Sequence, residues 1–167
     1  GEIRGEEGNV AFQAMQTGHP VMSTFHSGNV TTMIQRLTGD PINVPIAFID
    51  NLNISLIQMA VTNKGQHLRR VLSVTELERY YAPADKMITR QVFDWNPTDD
   101  THIFKGMMNS YILESKIALM IGYEDTRDIY KELDKRRKIL DKMVENKIFN
   151  YFDVWELIKN YHIIGKE

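Results

Sequence analysis

Acidic and basic side chains crowd the first seven positions, Gly1-Glu2-Ile3-Arg4-Gly5-Glu6-Glu7, and histidines follow in Thr17-Gly18-His19-Pro20 and Ser23-Thr24-Phe25-His26. These residue types do acid–base and phosphate chemistry. A carboxylate such as Glu2 can hold Mg²⁺ through water or polarise an attacking water, and a Ser or Thr hydroxyl with a His can sense phosphate oxygens. Open α/β sheets bind ligands at the carboxyl ends of their strands. If Glu2 ends a strand beside the one that ends at His26, then Glu2, Thr24 and His26 converge on one ligand. Each feature also has a purely structural explanation. Carboxylates just before a helix are favoured by its dipole, and a histidine at a strand end often satisfies only a turn or a core. A Zn or Mn site from His19, His26 and a Glu lacks the HExxH-type spacing that would support it.

The elements that must position these residues can be read from periodicity. Gly8 to Thr17 predicts a helix, with Ala11, Ala14, Met15 and Gly18 on a small-residue face that could lie close to a sheet. Pro20 to His26 predicts a buried strand. Ser27 or Asn29 can cap a helix whose Val30, Met33, Ile34 and Leu37 form an apolar face, ended by Gly39 and Pro41. Pro45 to Asn51 predicts one short helix. Two β pairs follow, 53–62 with 68–76 about a turn at Asn63-Lys64-Gly65-Gln66, and 87–95 with 101–105 about Asn96-Pro97-Thr98-Asp99-Asp100. Beyond Gly106 the pattern is helical. Leu113, Ile117, Met120 and Ile121 make one stripe, and Ile129, Leu133, Leu140 and Met143 make another on about twenty residues from Thr126. Tyr151, Val154, Trp155 and Ile158 make the last, capped by Asn150. The change at Gly106 divides the chain into 1–106 and 107–167.

Composition removes whole classes of function. The 167 residues are 43% hydrophobic, enough for a core. Twenty Lys and Arg against 22 Asp and Glu give a net charge of −2, so a basic surface built for nucleic acid is not indicated. There is no cysteine, which excludes disulfide scaffolds, cysteine metal sites, Fe–S clusters and thiol nucleophiles. No apolar run approaches the ~20 residues of a membrane span. The sequence starts Gly1-Glu2-Ile3-Arg4, with no initiator Met and no signal-peptide character, so the expectation is a piece of a longer protein.

Gly1-Glu2-Ile3-Arg4-Gly5-Glu6-Glu7, then Phe12-Gln13-Ala14-Met15-Gln16-Thr17-Gly18-His19, then Ser23-Thr24-Phe25-His26, resembles the Walker B and His-box region of the type II/IV secretion ATPase superfamily. The resemblance continues through Ile34-Gln35-Arg36-Leu37, Pro41-Ile42-Asn43-Val44-Pro45 and, more weakly, Phe93 to Asp100 and the tail from Ser110 to Tyr161. It is strongest toward the archaeal motility-filament (archaellum) and archaeal type IV pilus motor ATPases. The absence of cysteine separates the chain from relatives that carry a four-cysteine zinc insertion.

That resemblance implies an α/β fold. The expected architecture is the C-terminal part of a RecA-like P-loop NTPase domain, mostly parallel sheet with added antiparallel hairpins, followed by a helical C-terminal subdomain. Glu2 matches the Walker B carboxylate that serves Mg²⁺ through water and the attacking water. Arg4 and Glu7 match the arginine and second acid of that motif. His19 and His26 match the His box, which couples nucleotide state to subunit movement. Thr24 and Arg36 fall at nucleotide-binding positions, Arg36 near subunit contacts. The cofactors implied are ATP and Mg²⁺. The partners implied are five further copies in a ring-shaped homo-hexamer and a membrane platform protein, with no nucleic acid. The localisation implied is cytoplasmic, peripheral at the inner face of the cell membrane.

The sequence departs from that family in one respect: it contains no G-x-x-x-x-G-K-[ST], the loop whose N–H groups and Lys bind phosphates. These residues alone are therefore expected not to hydrolyse ATP, and the region before Val44 is expected to pack poorly or to pair with another copy. The alternative reading is a non-catalytic interaction module that docks the platform protein. A third is a conjugation or type IV secretion ring ATPase, against which the long helical tail argues. Lys135-Arg136-Arg137-Lys138, among acids, reads as a solvated helix face, with acidic lipid or the platform protein as the functional alternative. Tyr80, Tyr81, Trp95, Tyr151, Phe152 and Trp155 read as packing.

Overall fold

The computed structural model describes residues 1–164. Its main elements are α1 (Glu7–Gln16), α2 (Val30–Thr38), a 3-10 helix (Ile46–Asn51), β1 (Ile54–Asn63), β2 (Gln66–Tyr81), β3 (Lys86–Asn96), β4 (Thr101–Phe104), a π-helix (Ile112–Ala118), α3 (Ile129–Glu145) and α4 (Tyr151–Ile164). No helix among the described residues is long and apolar enough to cross a membrane.

Local chemistry sets the two front helices. At the start of α1 the Glu7 carboxylate accepts the backbone N–H groups of Arg4 and Gly5, at 2.7 and 3.0 Å. At its end the Gly18 and His19 N–H groups bond the Met15 and Ala14 carbonyls, with Gly18 at φ +86°, a Schellman closure that a residue with a Cβ would strain. Asn29, in extended backbone, caps α2 by accepting from the Thr32 N–H at 2.8 Å. The tight packing of α1 falls at Gly8, where a Cβ would stand 2.6 Å from Ile42 Cγ2 and 2.9 Å from Ile3 Cγ2. Phe12 of α1 and Met33 and Leu37 of α2 then meet Ile42, Val44, Ile49, Leu77 and Met87 in the main core.

The sheet is a four-stranded antiparallel meander in the order β1-β2-β3-β4. Lys64 and Gly65, both at positive φ, close the β1–β2 hairpin, as a two-residue turn between right-twisted strands requires. The sequence reading of two separate hairpins is corrected: β2 runs on to Tyr81 and pairs with β3, joining them. The expected mostly parallel sheet is not what these residues form. Parallel pairing among the described residues is the single bridge between Glu2 and Thr24. The buried strand expected over 20–26 is corrected with it, since Met22 is 97% exposed. A strand in a parallel sheet is buried by neighbours on its edges and by helices on its faces, and this segment has one bridge. The expectation of poor packing before Val44 therefore holds for this segment and fails for α1 and α2.

The helical part differs from its expected stripes. Between Ile112 and Ala118 the helix is π-wound, so Ala118 stacks over Leu113 and both pack with Ile129 and Tyr130, while Ile117, Met120 and Ile121 are exposed. On α3, Ile129 and Met143 are buried and Leu140 is not. Tyr151, Phe152 and Trp155 of α4, read as packing, are exposed, and neither core cluster of the described residues includes a side chain of α4. The basic run on α3 is a solvated face: Arg136 pairs with Glu132, Arg137 with Asp134 and Asp141, and Lys138 with Asp134. The far end of the expected helical part, residues 165–167, lies outside the described residues.

A buried polar joint ties sheet to helices across Gly106. Glu76 of β2 is 3% exposed and accepts from the Ser110 hydroxyl at 2.5 Å and the Tyr111 N–H at 2.7 Å, holding the start of the π-wound helix. The Tyr130 hydroxyl accepts the Asn109 and Ser110 N–H groups and lies 2.7 Å from the Gly106 carbonyl and 2.5 Å from Glu114. Burial and the neighbouring Glu114 carboxylate raise the Tyr130 phenol above its ordinary pKa.

Candidate functional site

The front of the molecule is a small crossover. The chain runs through Gly1–Ile3, turns into α1 and returns parallel to its start at Thr24. The Ile3 N–H bonds the Thr24 carbonyl at 3.1 Å, and the Thr24 N–H bonds the Gly1 carbonyl at 2.9 Å. Two parallel segments joined by a helix bring the residues just past each of them to the same end. At that end lie Arg4, the N-terminal turn of α1 and His26.

Glu2 is the centre of the group. Its Oε2 accepts from Arg4 Nη2 at 2.7 Å, and His26 Nε2 stands 3.1 Å from its Oε1. That Arg4 hydrogen bond holds the Glu2 carboxyl below the usual carboxylate value, and Glu2 in turn raises Arg4. The His26 contact has ion-pair distance without hydrogen-bond alignment, so among the described residues Glu2 Oε1 is a buried acceptor with no hydrogen-bond donor. That acceptor is closed to solvent with His26 against it, so a water, either one in the shell of Mg²⁺ or one about to attack, reaches it only when His26 or the carboxylate turns. Glu2 is thus the residue that could serve the metal through water. Among the described residues no three of His, Asp or Glu lie close enough to hold a metal ion directly, so the Zn or Mn arrangement has no support.

The other candidates take distinct places. Glu7 has turned onto its own turn of backbone, and the Arg4 N–H, its own N–H and the Gly5 N–H hold its carboxyl low. It shapes the loop that carries Arg4. The Thr24 hydroxyl donates to the Gly1 carbonyl at 3.2 Å, as does Ser23 at 3.0 Å, so both clamp the parallel bridge. His19 sits past the other end of α1, a helix of about 15 Å at 1.5 Å per residue. The Thr17 hydroxyl gives its proton to the Ala14 carbonyl and accepts from His19 Nδ1 at 3.0 Å, which leaves Nε2 facing outward. Arg36, in the last turn of α2, donates to the His26 carbonyl and lies over the Phe25 ring, 4.9 Å from its centroid. The fold therefore gathers Glu2, Arg4, Glu7, Thr24, His26 and Arg36, and leaves His19 apart.

Sequence reasoning passed over Phe25 and the Glu76–Ser110–Tyr130 joint. Ser110 just before a helical stripe was a cap signal, but nothing in sequence marks Glu76 as its partner 34 residues away.

A family model described as type II/IV secretion system protein matches residues 1–93. Over all 167 residues the chain is 56% identical to uncharacterized protein MJ0900 of Methanocaldococcus jannaschii, covering 30% of that protein. It is 39% identical to uncharacterized protein MJ1287 of the same organism over 147 residues, 88% of this chain and 53% of the relative. Uncharacterized protein MJ0781, also of that organism, is 22% identical over 140 residues, 84% of this chain and 19% of the relative. The chain thus spans between about a fifth and a half of the curated relatives it matches.

Proposed function

Because the chain belongs to the type II/IV secretion system protein family, whose members are in general ATPases, we propose that it forms the carboxylate-and-histidine half of an ATP-hydrolysing site in a longer motor protein. The phosphate-binding loop comes from another segment of that protein. The motor drives assembly or rotation of an archaeal pilus-like filament, archaellum or type IV pilus, or drives protein secretion. It works as a homo-hexamer at the inner face of the cell membrane, docked on a membrane platform protein, without nucleic acid. Residues 1–106 belong to its RecA-like core, in which the Glu2–Thr24 bridge is one seam of a mostly parallel sheet, and residues 107–167 form a helical subdomain.

The observation that carries this reading is the Glu2 carboxylate set between Arg4 and His26 at the ends of two parallel segments, with one oxygen lacking a hydrogen-bond donor among the described residues. Mg²⁺, held by Glu2 through water, would neutralise phosphate charge. Glu2 Oε1 takes the proton of a water presented to it. Arg4 keeps the carboxylate ionised and oriented. His26, with its imidazole 83% exposed, faces the space where an anionic group would arrive. Glu7 fixes the loop beneath. His19, apart from these, acts from outside the cluster.

The test is ATP hydrolysis by the full-length protein. Glu2→Gln should lower the rate by about 10²- to 10⁴-fold, the usual worth of a general base, with nucleotide affinity retained. Wild-type turnover in that variant would overturn the assignment. One observation favours the second reading, a docking module without catalysis: the aromatic face of α4, where Trp155 is 58% exposed beside Tyr151 and Phe152. Under that reading Trp155→Ser abolishes platform binding while wild-type protein shows no hydrolysis to lose.

A further inference from the structure

We propose that Arg36 is a positioning residue that fixes His26 against Glu2, acting through the His26 carbonyl and the Phe25 ring and not on the nucleotide itself. This rests on the nucleotide-site reading above.

His26 needs such a support. It lies in the segment between Thr24 and α2 that has no regular structure, and its imidazole projects into solvent. Its ring meets Glu2 at 3.1 Å without hydrogen-bond alignment, so that contact alone defines its place weakly. The second tether is Arg36. α2 is anchored to the core by Met33 and Leu37, on the face opposite solvent. From that fixed helix Arg36 reaches back ten residues, donates Nη1 to the His26 carbonyl and lays its guanidinium over Phe25. Phe25 packs in turn against the same core. Loop, ring and helix form one closed unit, with the imidazole at its outer corner.

The ordinary reason for an arginine in the last turn of a helix is the helix dipole. That does not account for this geometry, because Arg36 bonds no carbonyl of its own helix among the described residues. Nor does Arg36 have a carboxylate partner there. A guanidinium with one edge on a carbonyl and one face on a ring has its orientation set before any ligand arrives.

The experiment uses the full-length protein with three variants: Arg36→Ala, Phe25→Leu, which keeps apolar volume and removes the ring face, and their double. Without nucleotide, each single variant should raise amide exchange at Ile3 and Thr24, whose N–H groups bond across the bridge next to this segment, and leave α2 unchanged. With ATP, each should lower kcat by about 10-fold or more, since a displacement of about 1 Å can cost 10²-fold. Nucleotide Kd should move less than about 2-fold by the same positioning argument. The double variant should be no worse than the poorer single, because both act through His26. Arg36→Lys, whose ammonium can still reach a carbonyl, should recover part of the rate. Three results overturn the proposal: unchanged exchange at Ile3 and Thr24, a Kd raised about 10-fold or more by Arg36→Ala alone, or independent and additive losses. A wild-type protein that hydrolyses no ATP overturns the nucleotide reading instead, and the exchange result still decides whether Arg36 holds His26.

Discussion

Glu7 sits in a motif where a second acid invites a chemical role, yet its carboxylate is closed onto the Arg4 and Gly5 amides. Those N–H groups lower its folded pKa from the ordinary 4.5. A depressed carboxylate stabilises the fold fully above its unfolded pKa, and that stability is lost as pH falls through the folded value. Glu7→Gln should therefore flatten the loss of Tm that acid causes below about pH 4.5, while wild type and variant keep similar slopes above pH 6. An unchanged acid slope would mean the carboxylate does not hold this turn. Asp100 follows the same sign. Arg70 grips it at 2.7 and 2.6 Å and Trp95 Nε1 donates at 2.8 Å, so its carboxyl lies well below the usual range. Asp100→Asn should red-shift Trp95 fluorescence as the hairpin tip loosens, with Trp155→Phe as the background that isolates the signal.

At the scale of elements, close approach and buried polar pairing decide the effects. Gly8→Ala adds a Cβ into Ile42 and Ile3, and overpacking of this kind costs about 1–3 kcal/mol. The urea midpoint should fall accordingly, while Ala11→Gly, on the same helix away from that contact, lowers it only by propensity, about 1 kcal/mol. Glu76→Gln keeps the size but replaces a two-oxygen acceptor by one carbonyl, so either the Ser110 hydroxyl or the Tyr111 N–H loses its partner. Leaving a buried donor unmet costs about 1–3 kcal/mol. Amide exchange should rise over 110–118 before it rises in the sheet. Uniform destabilisation across both regions would show that the joint does not control the helix start.

For the whole molecule, the two cores share one seam. Helices α1 and α2 close over the sheet, while the π-helix and α3 form a smaller core with Phe104 of β4. The aromatic face of α4 takes part in neither, so Trp155→Ser should leave folding stability within about 0.5 kcal/mol. A larger loss would place Trp155 in a contact of the fold. Much of this was legible from residues alone. Chemistry that depends on neighbours in sequence came through: the Asn29 cap, the Gly18 and Gly65 closures, and the β-rich runs from 53 to 105. These are set by hydrogen bonds and φ preferences spanning a few residues. What depends on distant partners did not come through. The Glu2–Thr24 bridge is in the sequence only a condition on where Glu2 lies, and it and the Arg36–His26 tether follow from how α1 returns the chain. The Glu76–Ser110 bond and the continuous meander follow from which strand lies beside which. Whether Tyr151 and Trp155 are inside or outside depends on what α3 leaves uncovered, and burial belongs to the packed molecule, whereas periodicity belongs to the chain.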